Sequence, residues 1–137
     1  MNPMAFTVIL STSFDEALER VTTALKGEGF GVLASVDIQE TLKKKLDVDV
    51  RPYHILGACN PSLAHRALEA DARVGLLLPC NVTLEGMGDG TVRVSFLNPE
   101  VALTVGDLAE NAEVHAIAAE ARQRMERAAR ALAEQGA

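Results

Sequence analysis

Apolar and polar positions alternate from Met4 to Leu10, with Met4, Phe6, Val8 and Leu10 on one face and Ala5, Thr7 and Ile9 on the other. That period of two predicts a short, mostly buried strand. Ser13 followed by Glu16 reads as a capping box, in which the Ser hydroxyl accepts from the Glu16 amide and the Glu side chain reaches back to the Ser13 amide. Behind it, Phe14, Leu18, Val21 and Leu25 recur at helical spacing and form a stripe facing a sheet, with the helix ending near Gly27 or Gly29. Alternation returns from Phe30 to Val36, where Phe30, Val32, Ala34 and Val36 share a side. This is a second strand, expected to pair with the first.

Asp37 and Glu40 repeat the cap-and-acid pattern before a short amphipathic helix whose apolar seam is Ile38, Leu42 and Leu46. A third strand is expected from Pro52 to Cys59, because proline cannot donate to a ladder and sits at strand starts. Asn60 is a good N-cap and Pro61 fits the first helical position, so a third helix follows with Leu63, Ala64, Ala67 and Leu68 buried. Arg73 to Leu84 reads as a fourth strand bent at Pro79, and the glycine-rich Glu85 to Gly90 as a hairpin loop into a fifth strand bearing Val92, Val94 and Phe96. After Asn98-Pro99 and an irregular stretch, a long helix starts between Asp107 and Glu113. It turns Val114, Ile117, Ala121, Met125, Ala128 and Leu132 inward and pairs Glu120 with Arg124 and Glu126 with Arg130 on its outer face. The architecture implied is α+β: a mainly antiparallel five-stranded sheet with helices packed on it, in a single domain spanning 1–137.

Composition narrows the function classes. At 137 residues, with 48% hydrophobic and 23% charged residues, the chain fits one globular domain. A net charge of -6 is the wrong sign for neutralising phosphates, so nucleic acid is not an expected partner. The basic run Lys43-Lys44-Lys45 lies between Glu40 and Asp47 and reads as a solvated helix end. No apolar stretch is long enough to span a membrane, and Met1-Asn2-Pro3-Met4 has neither a basic n-region nor a cleavage site, so a cytoplasmic location is expected. Two cysteines in a chain of this length do not make a disulfide framework.

Three segments occur in a distinctive order: Gly29-Phe30-Gly31-Val32-Leu33, Cys59-Asn60-Pro61 and Leu78-Pro79-Cys80-Asn81. Together they resemble the family called domain of unknown function 302, and the similarity runs from about Phe6 into the final helix, taking in Asp37 to Leu46 and Val92 to Pro99. The resemblance implies an α+β sandwich similar to the TATA-binding-protein fold class, assembled as a homodimer, with no established substrate or catalytic residues. Likeness of fold does not carry DNA binding with it.

The candidate chemistry centres on the two Cys-Asn pairs. Cys59 precedes the N-cap Asn60, where the free amides and dipole of the third helix favour a thiolate, while burial at a strand-to-helix corner favours an inert apolar thiol. Cys80 precedes Asn81 beside the bend at Pro79, and twenty-one positions separate the cysteines, which matches no C-x-x-C signature. His54, His65 and His115 share no metal-ligand spacing with them. Gly86 to Gly90 joins two strands and lacks the Lys-Ser/Thr of a phosphate loop. Capping accounts for Asp37 and Glu40. The reading is a noncatalytic homodimeric module that binds a small molecule near Cys59, Asn60, Cys80 and Asn81, with no metal site and the cofactor unknown. The alternative is a thiol-based redox or metal-handling protein using Cys59 and Cys80.

Overall fold

The computed structural model describes residues 2–136. Along the chain lie β1 (Ala5–Leu10), α1 (Phe14–Lys26), β2 (Gly31–Asp37), α2 (Ile38–Leu46), β3 (Tyr53–Cys59), α3 (Pro61–Ala70), β4 (Cys80–Gly86), β5 (Val92–Leu97), α4 (Pro99–Ala102) and α5 (Ala112–Gly136). The strands form one antiparallel sheet in the order β1-β5-β4-β3-β2. The expected α+β layer arrangement is therefore the one observed.

The helix starts are where their caps place them. Ser13 Oγ accepts from the Glu16 amide at 3.1 Å and Asp37 Oδ1 from the Glu40 amide at 2.9 Å. The reciprocal half of the first capping box is replaced: the Glu16 carboxylate instead accepts from the Thr12 hydroxyl and, at 3.2 Å, from Arg20. In the sheet core, Leu56, Ala58, Val82, Leu84, Val94 and Phe96 pack against Val21 and Leu25 of α1 and Met125 and Leu132 of α5. A second cluster joins α3 to α5 through Leu63, Ala67, Val74, Ile117 and Ala121.

Several expectations are corrected. β2 does not pair with β1. It pairs with β3, and β1 crosses the whole sheet to pair with β5, with Ala5 opposite Leu97. Pairing partners depend on contacts far apart in sequence, which local alternation cannot encode. The single-sided stripe expected for β2 is broken by a bulge between Val32 and Ala34, after which alternation changes face. Phe30 stays in the core, whereas Val36 is exposed.

Arg73 to Leu77 is not strand. Ala72–Leu77 forms a 3-10 helix, and β4 begins only at Cys80, after a cis Leu78-Pro79 peptide. Asp71 starts that turn by accepting from the Arg73 amide at 2.9 Å, the local side-chain bond that competes with strand pairing. The stretch after Asn98 contains α4 and a second 3-10 turn, Gly106–Glu110. The apolar seam of α2 buries none of its residues, and Leu68 of α3 is exposed. On α5, Arg124 meets Glu120 at 3.4 Å as expected, but Glu126 is paired with Arg122 at 3.6 Å rather than with Arg130.

Candidate functional site

The corner where β3 becomes α3 is built around Asn60. Its Oδ1 accepts from the Leu63 amide at 3.2 Å, which caps α3, and its Nδ2 donates to the Glu28 carbonyl at 3.4 Å. One side chain thus ends a strand, starts a helix and holds the turn between α1 and β2. That turn passes through Gly29 at φ +84, a left-handed conformation in which any Cβ is strained. A Cβ there would also lie 2.9 Å from Asn60 Nδ2. The Gly29-Phe30-Gly31 segment and the Cys59-Asn60-Pro61 segment, far apart in sequence, are therefore fitted to one another.

Helix α5 closes the same corner. Arg124 donates to the Glu28 carbonyl at 3.4 Å and to Glu120 at 3.4 Å, Arg66 of α3 reaches Glu120 at 3.2 Å, and Arg127 meets the Glu28 carboxylate at 2.9 Å. The Arg66 guanidinium, with a smaller contribution from Arg124, holds the Glu120 carboxyl below its ordinary value. Sequence reasoning missed this network because its members come from the α1–β2 turn, α3 and α5. The outward glutamates and arginines of α5 were visible, but not their long-range partners.

The Leu78-Pro79-Cys80-Asn81 segment meets the sheet at β3. Pro79 packs on Gly57 of β3 so closely that a Cβ on Gly57 would lie 2.7 Å from Pro79 Cγ. This seats Cys80 opposite Ala58 and Asn81 opposite Gly57. Cys80 is buried and faces the core, while Cys59, half-buried, lies opposite Gly31 at the strand end.

Of the four residues expected at a ligand site, Cys59, Asn60 and Cys80 line one cavity of about 30 Å³, with Phe30, Leu63 and Ile117 among its apolar walls. That volume accommodates about one water-sized group. Asn81 is not part of the lining and stands exposed on β4. None of the three histidines lines the cavity either. His54 packs against Phe14 with ring centroids 5.3 Å apart, His65 is exposed 3.5 Å from Glu69, and His115 Nε2 is 2.5 Å from the Ala109 carbonyl. Among the described residues, no three His, Cys, Asp or Glu side chains gather as a metal set.

Burial decides the state of the thiols. It pushes the Cys59 thiol up, opposite to the thiolate that the helix terminus was expected to favour. It pushes Cys80 up to about 11, with a further contribution from the neighbouring Cys59. Both are neutral at pH 7 and act as small apolar groups with weak S–H donors rather than as nucleophiles.

A family model described as "Domain of unknown function DUF302" matches residues 6–132. The chain belongs to the DUF302 family. Among solved structures, the DUF302 chain is similar to an uncharacterized conserved protein DUF302 from Bacillus stearothermophilus, with 30% identity and a TM-score of 0.81, over 99% of this chain and 100% of the other. No curated protein matches. The function of this DUF302 protein is accordingly unknown, and no helix among its described residues is long and apolar enough to cross a membrane.

Proposed function

We propose that this DUF302 protein is a noncatalytic, homodimeric module that binds a small molecule through an apolar group inserted beside Cys59, Asn60 and Cys80. The observation supporting this reading is that these three residues line one cavity with apolar walls. The cavity's size limits what enters it to a methyl-sized tip, so the remainder of the ligand lies at the mouth. Asn60 offers little polar recognition, because its oxygen is engaged by the Leu63 amide and its nitrogen by the Glu28 carbonyl. Affinity then comes from shape and apolar burial, at roughly 0.8 kcal/mol for each methylene-sized group.

Titration with xenon and with short alcohols, followed by amide NMR, tests the cavity. Saturable shifts confined to Cys59–Leu63, Cys80 and Ile117, and abolished by Ala67→Phe, are expected. Shifts that never saturate and spread over the surface would count against it. Sedimentation at tens of micromolar tests the dimer.

The alternative, thiol redox or metal handling, is favoured by one observation: Cys80 is paired with Ala58, the residue adjacent to Cys59. Against it stand two thiols that burial holds neutral at pH 7, although they line the same cavity. Alkylation measured across pH separates the readings. Rates that stay low until well above pH 8.5 support the binding module, and a fast reaction at pH 7 supports the thiol protein.

A further inference from the structure

The two edges of the sheet are protected very differently. β2 carries the bulge at Val32 and Ala34 and ends in Asp37, features that spoil edge-to-edge pairing. β1 has none of these devices. Its six residues, Ala5-Phe6-Thr7-Val8-Ile9-Leu10, include no charge, proline or glycine, and they run in unbroken register against β5. Beyond that ladder no backbone or side-chain hydrogen bond engages the β1 backbone among the described residues; the nearby bond from the Asn98 amide to the Met4 carbonyl lies before the strand. In an antiparallel pair, alternate amides and carbonyls point away from the partner. The outer side of β1 is thus a row of open donors and acceptors on a regular, apolar strand.

We propose that this edge pairs antiparallel with β1 of a second copy, joining the two sheets into one of ten strands. This deepens the dimer part of the function proposed above and rests on it. A second β1 fits for three reasons. Antiparallel pairing of a segment with itself satisfies a two-fold axis, so every open group on one copy meets its complement on the other. The strand is uncharged, so two chains of net charge -6 meet there without like charges opposed. Phe6 and Val8 are only partly buried against the core, with Arg122 5.7 Å over the Phe6 ring, and the same two residues of the second copy cover the flank that the helices leave open.

Thr7 is exposed, with its hydroxyl 3.2 Å from that of Ser95, and it lies centrally on the strand. Thr7→Lys therefore places two lysines close to the two-fold axis without touching the core. Sedimentation and amide hydrogen exchange are measured on the wild type and on this variant, with β4 amides reporting the fold. A wild-type dimer with every β1 amide protected is expected, together with at least about tenfold weaker association and fast exchange of alternate β1 amides in Thr7→Lys. A wild-type dimer whose alternate β1 amides exchange fast would overturn the edge pairing and leave the dimer standing on another surface. A wild-type monomer would overturn both. If Thr7→Lys fails to fold, the wild-type pattern alone decides, since it distinguishes a covered edge from an open one.

Discussion

Asn60→Ala removes a side chain that does two jobs, and the structure separates their sizes. The cap acceptor on the Leu63 amide is worth about 0.5–2 kcal/mol. The longer bond to the Glu28 carbonyl adds at most about 0.5–1 kcal/mol, because Arg124 still donates to that oxygen and it is not orphaned. The sum is about 1–3 kcal/mol. With a urea slope of roughly 2 kcal/mol per molar, the midpoint falls by about 0.5–1.5 M at unchanged slope. Asn60→Ser separates the terms, since the hydroxyl can keep the cap while the donor to Glu28 is lost. It is expected to recover at least half of the deficit. Equal losses for Ala and Ser would show that the cap is not what Asn60 supplies, and a midpoint unchanged in both would refute the reasoning altogether.

Ser13→Ala removes the acceptor from the Glu16 amide and is expected to lower global stability by about 0.5–2 kcal/mol in denaturant titration, whereas Asp37→Ala uncaps a helix with no buried residue and should show mainly as faster amide exchange within α2. Gly57→Ala forces a methyl to within 2.7 Å of Pro79 and is expected to cost about 2 kcal/mol by the same titration, since the ring or the strand must shift to admit it. Cys80 makes stability fall at alkaline pH. Its folded value of about 11 lies above the ordinary 9.0, so the native state holds the proton longer than the unfolded chain, and stability present below pH 9 is lost as pH rises through 11. The loss is about 3 kcal/mol, and it should be absent from the pH profile of Cys80→Ala.

The elements legible in the sequence are those fixed by neighbours along the chain. Ser13, Asp37 and Asn60 mark helix starts because an N-cap acceptor reaches an amide three residues on, and each does so here. Arg73 to Leu77 misled because a short apolar run suits a strand or a tight helix equally, and the deciding signal, Asp71 as a local acceptor, lies just outside the run. Strand partners were illegible for a different reason: nothing in Ala5–Leu10 specifies that Val92–Leu97 lies beside it. At the candidate site, the three distinctive segments could be seen in sequence, but not that Gly29 is fitted to Asn60 and Gly57 to Pro79. Asn81 illustrates the limit of reading by wording, since it repeats the Cys-Asn pair of Cys59-Asn60 yet is exposed on an interior strand rather than placed at a helix start. The thiol state turned on burial against helix-end electrostatics, a balance that only packing resolves.

The strand order has a consequence for how the chain assembles. The first two strands made are the two margins of the sheet, and the three that fill the space between them come later. β2 can close as soon as β3 exists, but β1 waits for Leu97, with most of the polypeptide still to be placed. Loop closure over such a span makes docking of the first strand a late, slow event. A circular permutant that opens the chain between β1 and α1 and joins Gly136 through a flexible linker to Ala5 would make β1 the last strand synthesised, with its site already formed. It should refold to the same sheet faster than the natural order allows.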